Sequence, residues 1–476
     1  MSQFEEATDH KRSLNRRQFI KLGGASMVAL SVGHSAKMGA GPKPSREPNL
    51  LVIITDQQHI DTVAAGGCPY LRTPALDTLA QRGVSFRQSF TPNPICSPAR
   101  SAMMTGRMSS ETGVYKNQRP IRSTIPNLGQ WFSENSNYET LYAGKWHLPR
   151  SYSLTIPGFK VLHTGIGGQG NVCDPAVSMA SEAYLRERNR DRPFLMVASF
   201  LQPHDICEWL RLNMSVPQQP RYPELGDEVP PLPDNFEFDR NEAHHIQALR
   251  QRYEGAKGRW TPEHWRYYRW SYYRHIEQVD GEIGRLLRAL KETGQDENSL
   301  ILLTSDHGEG LAHHQMVRKS SPYDAALKVP LLISLPGQIP PGGVNDRHLV
   351  SGLDIVPTLC DFAGIEAPPK MRGYSLKPLL KGKTSQWRDH VVSEVYRDEG
   401  RVVRTERYKY ITYRDDPIDM LFDTRKDPGE TQNLAQDPKY KSVVSEHREI
   451  LKQWEAQLDV APDVPSAEVW WREEGV

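Results

Sequence analysis

The sequence predicts an α/β fold built on a large mixed, mostly parallel sheet sandwiched by helices. Three observations carry that expectation. First, unbroken apolar runs recur along the chain: "NLLVIITD" ending at Asp56, "TLYAGKWH" (140–147), "FLMVASFLQPHD" (194–205), "LILLTSDH" (300–307) and "VPLLISLP" (329–336). A strand covered on both faces, as parallel strands are, needs continuous hydrophobicity, whereas a half-exposed strand alternates. Second, helical segments lie between the runs. The clearest is 272–290, where Ile276, Val279, Ile283, Leu286, Leu287 and Leu290 recur at three- and four-residue steps along one face, and strands alternating with helices imply a sheet covered on both sides. Third, from about Ser385 the pattern changes to short strand-like segments, "HVVSEVYR" and "YKYITYR", followed by a polar helix at 437–457.

Composition narrows the function classes. The chain has 476 residues, 38% hydrophobic and 25% charged, which are globular values. Lys+Arg (59) and Asp+Glu (58) nearly cancel, so the basic surface on which nucleic-acid affinity rests is missing and no nucleic-acid partner is expected. Anion recognition has to come from a local site. The five cysteines, Cys68, Cys96, Cys173, Cys207 and Cys360, are scattered and include no CxxC pair, against a structural zinc site or a disulfide framework. Cys173 and Cys207 are candidates to pair after export, a point their spacing leaves open. Cys68 and Cys360 read as small core residues.

The first forty residues have the form of an export signal. In "KRSLNRRQFIKLGGASMVALSVGHSA" (11–36) a basic stretch precedes an apolar run from Leu22 to Gly33, followed by small residues. That run is too short to stay in a bilayer as a spanning helix. Arg16 and Arg17, with Phe19 and Lys21 behind them, resemble the twin-arginine signal. The expectation is a signal peptide over 1–40 cleaved between Ala36 and Ala40, a Gly/Pro/Lys linker over 41–47, the Tat machinery as a transport partner, and a periplasmic or secreted protein.

Four strand-like runs end in chemically active residues: Asp56 and Gln57, Lys145 and His147, His204 and Asp205, Asp306 and His307. In α/β sheets ligands bind beyond the carboxyl ends of the strands, so these residues are expected to converge. Asp56, Gln57, Asp306 and His307 offer an oxygen-rich set with one imidazole, which suits Ca²⁺ or Mg²⁺ and leans toward Mn²⁺ through the imidazole. Arg100, Lys145, His147, His204 and Lys319 would place positive charge beside that ion. Such a pocket holds a compact anion and stabilises charge as a bond breaks, which points to sulfate, phosphate or phosphonate esters. "NPICSPAR" (93–100) then puts Cys96 at the start of a helix with Pro98 in its first turn. The helix dipole and the ion both favour an anion there, the setting of a nucleophile.

Cys96-Ser97-Pro98-Ala99-Arg100, followed by Thr105-Gly106-Arg107, resembles the signature of the type I sulfatases of the alkaline phosphatase-like superfamily. "GKWHL" (144–148), "QPHD" (202–205), "TSDHGEGLAHHQMVRK" (304–319), "DIVPTLCDFAGIEAP" (354–368) and "LFDTRKDPGETQNLA" (421–435) are similar to further family landmarks, in the same order. The resemblance implies that a separate maturation enzyme oxidises Cys96 to formylglycine. One hydroxyl of the aldehyde hydrate then attacks sulfur and the other expels sulfate. It implies Asp56, Gln57, Cys96, Asp306 and His307 as ligands of one divalent ion, Ca²⁺ first and Mn²⁺ or Mg²⁺ as alternatives. Arg100 and Lys145 would hold the hydrate and sulfate, His147 would assist breakdown of the sulfated intermediate, and His204 and Lys319 would contact sulfate or protonate the departing alcohol. His314 reads as structural. A catalytic domain over 48–384 and a smaller C-terminal antiparallel sheet over 385–476 follow from the same resemblance.

Many family members carry Asp-Asp and Asp-Asn where this chain has Asp56-Gln57 and Asp306-His307, a version that also resembles phosphonate monoester and phosphodiester hydrolases. His313 stands where an acidic residue is usual. The expected activity is hydrolysis of a sulfate ester on a sugar or glycan. The alternatives are a phosphonate or phosphodiester hydrolase, or a sulfate-binding protein whose cysteine is never converted. Pocket walls are expected in 59–70, 150–175 and 208–262, and the aromatic, Arg-rich "RWTPEHWRYYRWSYYR" reads equally as a glycan-lining insertion or as the lead into a helix.

Overall fold

β1 (Asn49–Asp56) is buried along its whole length, and its side chains alternate between two cores. Leu50, Val52 and Ile54 face a layer with Met103, Met104, Leu128, Phe132, Val356 and Leu359. Leu51 and Ile53 face Leu76, Leu79, Val177, Leu185, Val279 and Ile283 on the opposite side. Strand geometry sends successive side chains to opposite faces, so a strand between two helical layers has to be apolar at every position. The structure is a computed structural model and describes residues 47–150, 152–166, 168–214, 223–252, 260–383 and 386–464. The signal and nearly all of the linker expected over 1–47 lie outside the described residues, as does residue 385, where the domain change is expected.

In chain order the other strands of the first part are β2 (Val84–Phe86), β3 (Ser89–Phe90), β4 (Glu139–Gly144), β5 (Lys160–His163), β6 (Phe194–Pro203), β7 (Ser299–Ser305), β8 (Leu331–Ser334), β9 (Gly343–Asn345) and β10 (Val350–Ser351). Seven of them join β1 in one sheet in the order β5-β4-β6-β1-β7-β8-β2-β9, and β3 pairs with β10. β1 runs parallel to β6 and to β7, and β4 parallel to both of its neighbours. β8 runs antiparallel to β7 and to β2, which makes the sheet mixed. The apolar run of β8 reflects burial on two faces and carries no information about direction.

The run at 140–147 leaves the sheet at Gly144, whose φ of +103° is open to glycine and whose Cβ would sit 1.9 Å from the Ser199 carbonyl oxygen. Lys145 and His147 therefore lie in the connection beyond the strand. The helix expected at 272–290 spans Pro262–Glu292. Its second half buries Ile276, Val279, Ile283, Leu286 and Leu290, with Leu287 only partly covered. The aromatic stretch forms its first half. Trp265, Tyr268, Tyr272 and Tyr273 are buried against Leu71, Ile206, Leu210 and Leu311, so these rings are packing behind the site and line no glycan cleft. Helical spacing of 265, 268, 272 and 276 explains this: one face holds them all.

The last part is a four-stranded antiparallel sheet, β11 (His390–Val395), β12 (Gly400–Thr405), β13 (Tyr408–Tyr413) and β14 (Met420–Asp423), joined in sequence order. One face, with Val391, Val402, Ile411 and Phe422, packs on Phe90, Tyr323 and Leu327 of the main body. The other, with Val392, Val403, Tyr410 and Leu421, is covered by Val444 and Leu451 of the helix Lys441–Glu455. Glu394 of β11 fastens the two parts. Its carboxyl accepts the Ser110 backbone N–H at 2.9 Å and the hydroxyls of Ser109 and Ser110, just past the helix Cys96–Thr105. Burial pushes this carboxyl up to about 7.

Candidate active site

Parallel pairing of β1 with β7 sets Thr55 opposite Ser305, so the chain leaves both strands side by side and presents Asp56 next to Asp306. Backbone N–H groups of Gln57 (3.1 Å) and His307 (2.9 Å) donate to Asp306 Oδ1. The helix Cys96–Thr105 points its first turn at this pair. It ends on Gly106, a left-handed cap whose N–H returns to Ala102 O. Cys96 and Arg100, four residues apart, share a face. Arg100 Nε donates to Asp306 Oδ2 at 2.8 Å, Nη2 lies 3.4 Å from Asp56 Oδ2, and Nη1 donates to Lys145 O and to Ser199 Oγ at 2.8 Å each. Cys96 Sγ stands 3.2 Å from His307 Nε2, 3.8 Å from Asp56 Oδ1 and 2.8 Å from Lys319 Nζ. Lys145 Nζ pairs with Asp56 Oδ2. Cys96, Asp56, Asp306, His307, Arg100 and Lys145 are all buried.

The electrostatics follow from that crowding. Burial alone would raise the Asp56 carboxyl, but Lys145, His204, Lys319 and Arg100 hold it well below the usual carboxylate range. Burial and Asp56 push the Cys96 thiol up, and Lys145, Lys319 and His307 outweigh them, leaving it well below its ordinary value. Burial lowers Lys319 in isolation; the charges at Cys96 and Asp56 lift it above the ordinary lysine range, so it keeps its proton. His204, half-buried like Lys319, is driven down to about 3 by burial and then by Lys319.

His147 and Gln57 both sit in the left-handed region, with φ of 63° and 71°, a conformation that costs side-chain-bearing residues energy and that persists where surroundings impose it. His147 is tied in place by Ser97 Oγ, which donates to its carbonyl at 2.7 Å. Its imidazole is pulled down by burial while a hydrogen bond to Cys96 opposes the shift. Gln57 is held by its amide, whose nitrogen donates to Glu309 and lies 3.4 Å from Cys207 Sγ and whose oxygen lies 3.7 Å from the same sulfur.

A family model described as Sulfatase matches residues 48–365, and one described as N-sulphoglucosamine sulphohydrolase, C-terminal, matches 312–457. The chain belongs to the sulfatase family. A Delta 4,5-hexuronate-2-O-sulfatase of Bacteroides thetaiotaomicron is 33% identical over 447 residues, covering 87% of this chain and 90% of that protein. The crystal structure of a putative sulfatase from Bacteroides thetaiotaomicron superposes with a TM-score of 0.78 at 31% identity, covering 86% and 92% of the two chains. A phosphonate monoester hydrolase of Agrobacterium radiobacter superposes with 0.72 at 25% identity, covering 86% and 96%. The chain is thus a sulfuric ester hydrolase by family, and the phosphonate enzyme is a relative.

The donor set of this sulfatase fits a divalent cation. One ligand atom each from Asp56, Cys96, Asp306 and His307 lies within 4.8 Å of all the others, and all four residues are buried. His307 Nδ1 is 2.9 Å from Gly308 O; donating there, it leaves the Nε2 lone pair facing the cluster, the arrangement that orients metal-binding histidines. The structure also brings in residues that sequence reasoning passed over. Ser199 receives Arg100 and donates to Lys145 O at 2.8 Å. Glu309 receives Gln57 and Tyr268, and Tyr272 Oη donates to Gln57 O at 2.7 Å. Glu309 lay in plain view within "DHGEG"; Ser199 and the tyrosines carry no sequence signal, since only packing aims them here.

Other expectations are corrected. Asp205 faces away from the cluster. It accepts the N–H groups of Gly170 (2.8 Å) and Asn171 (3.0 Å) at the start of the helix Gly170–Glu187, where a carboxylate complements the dipole. Asp174 of that helix in turn accepts Leu201 N and Gln202 N at 2.7 and 2.8 Å, fixing the segment that carries His204. All five cysteines are free: Cys173 Sγ lies 3.5 Å from Asp174, Cys207 lies beside Gln57, Cys360 is in the core and Cys68 is half-buried. His314 is structural as expected, stacked on Tyr323 at 3.8 Å. His313 stacks on His59 at 5.2 Å, a neutral pair in place of an acid.

Proposed function

We propose that this sulfatase removes sulfate from a carbohydrate, using formylglycine made from Cys96 and one divalent cation, Ca²⁺ ahead of Mn²⁺ or Mg²⁺. Asp56, Asp306, His307, the amide oxygen of Gln57 and the group at position 96 would hold the cation. Bound there, it would draw charge from the sulfate oxygens and favour an ionised nucleophile. The observation that carries the reading is Cys96 itself, buried at the helix start between two carboxylates and two ammonium groups. A plain binding protein has no use for a nucleophile at that point.

The chain's own residues supply the rest. Arg100 spans Asp56 and Asp306 and fixes their separation. Lys145 and Lys319 supply fixed positive charge on either side of position 96, preorganised for negative charge that grows on the sulfate. Lys319 keeps its proton and, with His204, stands at the half-buried mouth, where it would hold sulfate and donate to the departing alcohol oxygen. His147, which is electrostatically tied to position 96, would take a proton from the nucleophile's second hydroxyl. The sugar substrate is supported by the hexuronate sulfatase relative. We further propose export through the Tat machinery to the periplasm or beyond, on the strength of Arg16-Arg17 and the apolar run behind them, and maturation by a formylglycine-generating enzyme before that step.

Natively produced protein tests this. Peptide mass spectrometry across position 96 should find an aldehyde, and thiol titration after denaturation should fall by one from the five encoded cysteines. kcat/KM on an aryl sulfate should exceed that on a phenyl phosphonate ester. A full set of five thiols in active enzyme, or the reverse preference, overturns the reading.

A further inference from the structure

A cavity of about 420 Å³ opens beside His147 and is lined further by Gln118, Pro149, Arg150 and Tyr152. That volume falls in the range of small-molecule pockets and has room for a hexose-sized ring. His147 is the wall it shares with the site described above. Both of its rims are fastened to the first turn of the nucleophile helix. Ser97 Oγ donates to His147 O at 2.7 Å, and Ser97 N–H donates to Asn117 Oδ1 at 3.0 Å, next to Gln118. A larger cavity of about 730 Å³ between the helices Pro74–Arg82 and Pro262–Glu292 includes none of the site residues.

The lining has a definite chemistry. Tyr152, 48% exposed, and Pro149 offer apolar faces suited to the C–H face of a pyranose. Gln118 offers an amide to hydroxyl groups. Arg150 is exposed and, among the described residues, has neither an ion-pair nor a hydrogen-bond partner, and no acidic side chain lines the cavity. Most arginines around the site are spoken for: Arg100 by Asp56 and Asp306, Arg107 by Glu111 and Asp459, Arg119 by Asp463. An unneutralised guanidinium in one cavity with an aromatic ring and His147 suits a planar or tetrahedral anion held bidentately.

We propose that this cavity receives the sugar ring bearing the scissile sulfate, and that Arg150 selects rings carrying a second anionic group, a carboxylate or another sulfate. The proposal rests on the sulfatase reading and adds the substrate class to it. Tyr152 stacks on the ring, and Gln118 reads a neighbouring hydroxyl.

Four substrates test it on the mature enzyme: an aryl sulfate, a monosulfated N-acetylglucosamine, a monosulfated glucuronic acid and a glucosamine with two sulfates. Arg150→Gln should lower the ratio of kcat/KM for an anion-bearing sugar to that for the neutral sugar by about 10- to 100-fold, the usual effect of losing a charge-assisted pair. Arg150→Lys should restore part of it. Whether the uronate or the disulfated sugar is affected identifies the anion. The same comparison by titration calorimetry on a Cys96→Ala background reads the selectivity without turnover, so an inactive sulfatase would not hide it. A ratio unchanged within about threefold for both anionic sugars, by turnover and by binding, overturns the proposal while leaving the sulfatase reading intact.

Discussion

Lys319→Met removes one positive charge from beside position 96 and keeps most of the side chain's bulk. Lys319 Nζ stands 2.8 Å from the atom at position 96, and two unit charges at that distance attract by roughly 6 kcal/mol at an effective dielectric of about 20. That is a ceiling. The ammonium is half-buried, so water screens it, and the charge on a sulfate oxygen changes only in part on the way to the transition state. Removal of one preorganised donor from comparable sites costs about 3–4 kcal/mol, and we expect kcat/KM on an aryl sulfate to fall about 10²- to 10³-fold. The melting temperature should move by no more than about 3 °C, because a half-exposed ion contributes on the order of 1 kcal/mol to folding. The assay is steady-state turnover on folded protein, with a thermal melt of the same sample. A loss smaller than tenfold, or one matched by an equal loss of folded protein, would refute the idea that this lysine serves the reaction.

Chelation followed by dialysis should abolish turnover and lower the melting temperature, since Asp56 and Asp306 then lose a compensating cation; adding back Ca²⁺, Mn²⁺ and Mg²⁺ singly ranks the ion, and full activity in protein shown metal-free by elemental analysis would rule it out. Burial pushes the Asp174 carboxyl up to about 7, so it stays protonated in the fold where the unfolded chain has lost the proton. Its contribution to stability is therefore fully present below about pH 4 and is lost as pH rises toward 7, at about 1.4 kcal/mol per pH unit. Urea melts between pH 5 and 8 should show that slope shrink by one proton in Asp174→Asn, and an unchanged slope would exclude Asp174 as its source. Tyr272→Phe removes a hydroxyl that donates to Gln57 O and accepts from His59 N and should cost about 1–3 kcal/mol in the same melts; a neutral substitution would show that water replaces it.

What could be read from the chain follows a physical division. Asp56, Asp306 and His307 were legible because they end buried strands, and a polar residue closing an apolar run has few reasons to be there. Cys96 and Arg100 were legible through their shared helical spacing. Asp205 ends the same kind of run and misled, because a carboxylate beside a helix start has its own use. The β8 run disclosed burial on two faces and hid its antiparallel direction. Trp265, Tyr268 and Tyr272 pointed to a sugar cleft by composition, whereas their periodicity already placed them on one helix face. Ser199 and Glu309 depend on which side chains the fold presses against Arg100 and Gln57, a matter of tertiary packing that no local pattern records.

The clasp between Glu394 and the serines at 109 and 110 spans 285 residues of chain. A ribosome that has just released position 96 must add more than half of the protein before that fastening exists. Throughout the interval the stretch around the cysteine lacks that buttress, and on the reading proposed above this is when a maturation enzyme would reach it. A nascent chain stalled short of residue 390 should therefore still be converted efficiently at position 96, whereas the finished, unmodified protein should resist the same treatment.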